Sequence, residues 1–494
     1  MNMDYDVIIA GAGLSGIGMA CHLQKNNPNK SFAILERREA MGGTWDLFRY
    51  PGIRSDSDMI SFGYNFSPWI GNQVLAAGSS IKKYIQDTAY KFGVDKNIHY
   101  RMKIVSANFS TKTNRWTVDV LNESNGEMHK FTCNYFISAT GYYNHDQGHT
   151  PTFKGSEDFK GQIIHPQFWP ENLDYKNKRV VVIGSGATAV TLIPTMADET
   201  AHITMLQRSP SYVFNIPNKD TILDSCKRFL PENLVYKMFR KRNIFLQRGL
   251  YKISRRFPKP MRLYLLSSVQ KQLGGDENMR HFTPKYMPWD ERLCAVPDGD
   301  LFKVIREGKA SVVTDQIERF TENGILLKSG KVLEADIIIT ATGLELQMIG
   351  GMKVFVDDAE FKLNERVSYK GVLVDNLPNF AYLFGYTNTP WTLKIDLAAD
   401  YLCRLFKEMD HRQVTAVKPV ALESENTGKS VISSLQSGYV QRGDHTLPRQ
   451  GKSKEWFVSH HLETDTEMFK QDIESPDLVW STASIKSNAQ THAA

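Results

Sequence analysis

The sequence predicts an α/β protein built on two Rossmann-like dinucleotide-binding units, the first split by the second, with a helical insertion in the second. Three observations carry this. Residues 4–10 (DYDVIIA) and 178–183 (KRVVVI) are short apolar, β-branched runs, each ending in a glycine-rich turn and followed by a helix-length apolar stretch. Two further apolar runs each close in the same turn, Ala139-Thr140-Gly141 and Ala341-Thr342-Gly343. Between them, residues 213–290 break the strand–helix alternation. A lone G-x-G-x-x-G is a weak signal, whereas strand, glycines and helix in order are a strong one.

At 494 residues the chain is long enough for two or three domains and a sizeable core. Its net charge of +6 is mild. No window of about 18 apolar residues exists, so no membrane-spanning helix is expected. The first strand begins by Tyr5, which leaves no room for a signal peptide. Cys21, Cys133, Cys226, Cys294 and Cys403 are odd in number, scattered, and never C-x-x-C. That pattern predicts a reduced, cytoplasmic protein without disulfides or a metal site, and argues against dithiol reductase chemistry.

The first turn, Gly11-Ala12-Gly13-Leu14-Ser15-Gly16, lets a pyrophosphate approach a helix N-terminus, whose free N–H groups favour anions. The following strand ends at Glu36, twenty residues past Gly16. A carboxylate there accepts bonds from ribose hydroxyls and disfavours an added 2′-phosphate, so this site is predicted to take FAD. The second unit runs from Ile183 through Gly184-Ser185-Gly186-Ala187-Thr188-Ala189, with Ala in place of the third glycine. Its next strand ends in Gln207-Arg208, and a guanidinium there can hold a 2′-phosphate, which predicts NADPH.

Residues 227–262 hold twelve Lys and Arg against one acid, Glu232, interleaved with aromatic and aliphatic residues. The pattern predicts helices with a basic face. A solvated face and a peripheral contact with an anionic membrane are both open readings of it. Nucleic acid is not expected, because no recognition motif accompanies the charge.

Two further stretches carry a resemblance. Residues 42–56 read G-x-W-x-x-x-x-Y-P-G-x-x-x-D, counted from Gly43 to Asp56, and Phe159, Gly161, His165 and Trp169 form F-x-G-x-x-x-H-x-x-x-W-P with Pro170. Together with the two nucleotide turns, this chain resembles the Baeyer–Villiger monooxygenases, and within them the ethionamide-activating subgroup. The resemblance covers residues 4 to about 460.

It implies that Thr44, Trp45, Asp46, Leu47, Asp56 and the backbone near Ile104 join the first turn around FAD. Arg54, Ser55 and Asp56 are implied to join the second turn around NADPH. Arg292 falls where the family carries its active-site Arg, with Asp56 beside it, while Phe159, Gly161, His165 and Trp169 are implied to couple the domains. Many relatives have Lys before that Arg; here it is Glu291, which leaves the 2′-phosphate more dependent on Arg208. The implied reaction uses NADPH, O2 and a flavin C4a-peroxide to insert oxygen beside a ketone, with sulfide or thioamide oxidation alongside. S- or N-oxygenation as the main activity, and a non-catalytic flavin sensor or membrane module, are the alternatives. Trp391 is read as lining the pocket or packing, and residues 438–456 as an active-site cover. The expected divisions are 1–145, 146–335, 336–480 and a disordered tail from 481.

Overall fold

A computed structural model describes residues 3–291, 293–433, 435 and 437–483. Two sheets organise it. The first has nine strands, with Tyr5–Ala10 and Phe32–Leu35 at its parallel end. Met128–Ser138 joins its two halves: residues 128–133 pair antiparallel with Arg115–Asn122, and residues 133–138 pair parallel with Tyr5–Ala10. Met102–Ser110 and Arg115–Asn122 extend the main sheet, because one long strand carries both pairings.

The second sheet has five strands, in the order Ala310–Thr314, His202–Gln207, Arg179–Ile183, Ile337–Thr340, Gln162–Ile164, all parallel. Its three central strands are buried, as apolar runs with helices on a sheet require. The chain leaves the first sheet at Ser138 and rejoins it at Lys353–Val356. Ile337–Thr340 still belongs to the second sheet, so the division lies past Thr340 and not at 335. Gln162–Ile164, inside the linking motif, is that sheet's edge strand.

The insertion leaves from Val213–Ile216 and returns at Cys294–Pro297, two strands paired in parallel. Its long helix, Glu232–Arg256, buries Val235, Tyr236 and Phe239 against Ile60. Arg240 is buried too, with its guanidinium donating to the carbonyls of Ile60, Ser61 and Gly63. These are carbonyls at the end of the short helix Met59–Phe62, which has no further turn to satisfy them. One of the twelve cations is thus a structural cap, not part of a solvated face. Asp58, buried at the start of that short helix, accepts from Asn243 and Gln247 of the insertion.

At the other end, Leu478–Ser481 pairs with Ala416–Pro419, and Ala483 N donates to Thr415 Oγ1 at 2.9 Å. Ser481 is therefore ordered in a strand, because its backbone completes a ladder. The rest of the expected tail, 484–494, lies outside the described residues.

Candidate active site

A cavity of about 1100 Å³ is walled by the first glycine turn, the second glycine turn and the insertion helices. Gly11, Gly13, Leu14 and Ser15 form one wall. Gly11 holds φ +100°, and a Cβ there would lie 2.8 Å from the Ala139 carbonyl. Only glycine fits that turn. Gly16 does not line the cavity; it rests against the Gly11 carbonyl, which seats the helix Leu14–Asn26 close behind the turn. Glu36 lines the same wall, its Oε2 accepting from Ala12 N at 2.7 Å and its Oε1 from Arg38 N at 2.8 Å. Burial raises its pKa, opposed by those two N–H donors.

Gly43, Thr44 and Trp45 continue the wall, as do Arg54, Asp56 and Ile104. Asp46 and Leu47 do not line it. The Asp46 side chain is fully buried in ion pairs with Arg38 (2.7 Å) and Lys82 (2.5 Å). Burial pushes that carboxyl up, but bonds from Lys82 and Arg38 outweigh it and hold its pKa below the usual range. Asp46 braces the loop. Ser55 is also turned inward, its Oγ accepting from Ala76 N at 3.1 Å. Trp391 does line the cavity, stacked on Tyr142 at 5.4 Å and donating from Nε1 to Ser15 Oγ at 2.8 Å. None of residues 438–456 lines it; Trp456 packs on Tyr369.

From the second turn only Ala187 and Thr188 reach this cavity. Gly184 has φ +138° and lies against the Ala341 carbonyl, whereas a Cβ on Gly186 would meet nothing within 4 Å. The second turn thus keeps open space at the N-terminus of the helix Ala187–Met196. Ile183 and Ala189 are core residues of this unit, and Ser185 Oγ lies 2.9 Å from Ser211 Oγ. Gln207 is buried, donating to the His281 carbonyl and Thr314 Oγ1, so its side chain serves packing. Arg208 is exposed. Burial raises the pKa of Glu291, and the Arg208 charge opposes that rise, which puts the two side chains in each other's field. Arg292 lies outside the described residues.

The linking motif stands apart from the cavity. His165 Nε2 donates to the Gly343 carbonyl at 3.1 Å, and its Nδ1 accepts from Gln167 N at 3.2 Å. Its ring lies so close over Gly148 that a Cβ there would collide with it. Burial lowers its pKa, opposed by the bond to Gly343. Phe159 packs edge-on against Phe320, Gly161 lies against the Asp336 carbonyl, and Trp169 packs on the second unit's core. None of the four lines the cavity.

Trp289, Asn388 and Thr389 line the wall and were not singled out in the sequence, whereas Arg54 was. Arg54 Nη2, Trp289 Nε1, Asn388 Oδ1 and Thr389 Oγ1 are buried without a hydrogen-bond partner among the described residues, and all four residues line the cavity. Buried polar atoms are normally satisfied, so this clustering fits a wall that receives a polar ligand. Trp289 also holds φ +71°, the left-handed region, which costs energy for a bulky residue. Tyr142 and Tyr143 directly follow the first ATG turn, and that position was the available signal for them.

A mixed sheet and a parallel sheet, each with a glycine turn at the head of a helix, and one large cavity reached by both turns define a two-dinucleotide α/β enzyme. The family model for flavin-binding monooxygenase-like proteins matches residues 5–382, and the chain belongs to that family. It is similar to MymA of Mycobacterium tuberculosis, 54% identical over 499 residues and the whole of both chains. It is also similar to the FAD-containing monooxygenase EthA of the same organism, 48% identical over 473 residues, 95% of this chain and 96% of EthA. Among solved structures, oxidized steroid monooxygenase bound to NADP shares the fold, with a TM-score of 0.77, 20% identity, and coverage of 97% and 99% of the two chains. Among the described residues no helix is long and apolar enough to cross a membrane, and no His/Cys/Asp/Glu cluster could hold a metal.

Proposed function

We propose that the cavity holds FAD, that NADPH binds at the second turn, and that the chain inserts one oxygen atom of O2 beside a ketone carbonyl. The observation that supports this most is the shared wall: the first glycine turn, Glu36, Asp56 and Arg54 line one cavity that the second turn also reaches. A bound flavin would supply hydride acceptance from NADPH and the activation of O2.

The protein's part is binding, orientation and charge. Free N–H groups at the start of Leu14–Asn26 would hold the pyrophosphate, and Glu36 a ribose hydroxyl. Thr44, Trp45 and Ile104 would flank the flavin. Arg208 would take the 2′-phosphate, with Arg54 and Asp56 at the nicotinamide side. Arg292, on the resemblance alone, would stabilise the oxyanion that forms from the attacked carbonyl, with Asp56 orienting it. His165, Phe159, Gly161 and Trp169 would set the alignment of the two units, a role that their positions away from the cavity support.

The test is product formed per NADPH consumed, with a ketone and then a sulfide, for wild type and Arg292→Ala. Loss of one preorganised oxyanion donor costs about 10²–10³ in rate. The variant should keep flavin and NADPH oxidation but yield hydrogen peroxide in place of ester. Ester at near wild-type coupling would remove Arg292 from the mechanism. Turnover of the sulfide but not the ketone by wild type would make heteroatom oxygenation the main activity.

A further inference from the structure

The insertion carries an exposed apolar surface that the reaction above does not use. On Glu232–Arg256 and the following Pro258–Leu273, Phe245 (75% exposed), Phe257, Leu263 and Tyr264 face outward. Monomeric proteins seldom leave contiguous large apolar side chains exposed without a binding purpose. Ile222, Leu246, Leu250 and Tyr264 are exposed and also line the cavity. Tyr264 belongs to both sets, so the apolar surface reaches a mouth of the cavity.

Cations stand along the same helices, and one of them, Arg242, also lines the cavity. Arg242 pairs with Asp220, Arg248 and Lys252 with Glu463, and Arg255 with Asp290. Arg228, Lys237, Lys241, Arg256 and Lys259 are exposed and form no ion pair among the described residues. With a single acid in residues 227–262, two copies of this face would repel each other. Apolar side chains among unpaired cations match the complementary case, a surface that is anionic outside and apolar beneath.

We propose that this face docks on an anionic lipid surface with the cavity mouth turned toward the bilayer, so that apolar substrates reach the site from the membrane. The route for substrate rests on the monooxygenase reading; the docking does not.

The test uses the full chain and vesicles of phosphatidylcholine with or without phosphatidylglycerol. Sedimentation with the anionic vesicles at about 50 mM salt, and release at about 500 mM, is expected from charge screening. Each cation at such a surface contributes about 1 kcal/mol, or about fivefold in affinity, so Lys241→Glu with Lys259→Glu should weaken binding at least 25-fold (about fivefold squared). Phe245→Ser with Phe257→Ser should weaken it at least tenfold. These four residues do not line the cavity, so NADPH oxidation with a water-soluble ketone should be unchanged, and circular dichroism checks the fold. Absence of binding to anionic vesicles at low salt overturns the proposal. So does unchanged binding in the double Phe variant, since the apolar face would then lie outside the contact. A dimer that dissociates on the Phe substitutions would also overturn it, making the face an interface between copies.

Discussion

Arg54 offers the sharpest test of the shared wall. Its Nη1 donates to Asp300 Oδ2 at 2.6 Å, while Nη2 is buried without a partner among the described residues. Its side chain is 14% exposed, so the charge is only partly solvated. A ligand oxygen that accepts from Nη2 gains a charge-assisted bond and relieves an unsatisfied donor, together about 1.5–3 kcal/mol. Arg54→Leu should therefore raise the KM for NADPH about tenfold to 150-fold, with a smaller change in kcat and with flavin retained. The same change strands Asp300, whose pKa burial already raises against the pull of Arg54. Thermal stability should fall in Arg54→Leu and recover when Asp300→Asn is added, while the KM stays high. Steady-state kinetics and a melting curve on the two variants decide it. An unchanged KM in Arg54→Leu would refute the assignment of this wall to the nucleotide.

Arg208→Ala should raise the KM for NADPH tenfold or more and leave NADH kinetics nearly unchanged, because it removes a bond only the 2′-phosphate makes; equal losses with both nucleotides would count against it. Glu291→Lys replaces a carboxylate in the field of Arg208 with the residue many relatives carry, and should lower the KM for NADPH several-fold without affecting NADH. His460 is buried with Nε2 donating to the Val431 carbonyl at 2.8 Å, and burial depresses its pKa to about 4. A base depressed in the fold contributes fully above its unfolded pKa of about 6.5, and that contribution is lost as pH falls toward 4, about 3 kcal/mol in all. Urea midpoints should fall between pH 7 and 4.5, and fall less in His460→Gln, which keeps the donor but cannot charge; parallel curves would remove His460 as the cause.

What the sequence revealed, and what it hid, follows from the range of the interactions. Gly11 and Gly184 could be read from sequence because each requirement is local: a positive φ and a carbonyl pressed against the turn leave room for no other residue. Glu36 could be read because a fixed spacing brings the end of the second strand beside the first turn. Asp46, Gln207 and Arg240 could not. Each is polar in a stretch that resembles a ligand contact or a solvated face, and each is consumed by a partner far along the chain. Lys82 is 36 residues from Asp46, His281 is 74 from Gln207, and Gly63 is 177 from Arg240. Spacing carries no information about such partners, because a buried charge and a solvated one follow the same helical period. The same reasoning explains the insertion. Its sequence announced a basic helix, but the division of its cations into a buried cap, ion-paired positions and exposed unpaired positions depends on Ile60, Asp220, Glu463 and Asp290. Ile60 and Glu463 arrive from outside the insertion and Asp220 and Asp290 from its own two ends, and only the assembled fold selects the cations left to face outward.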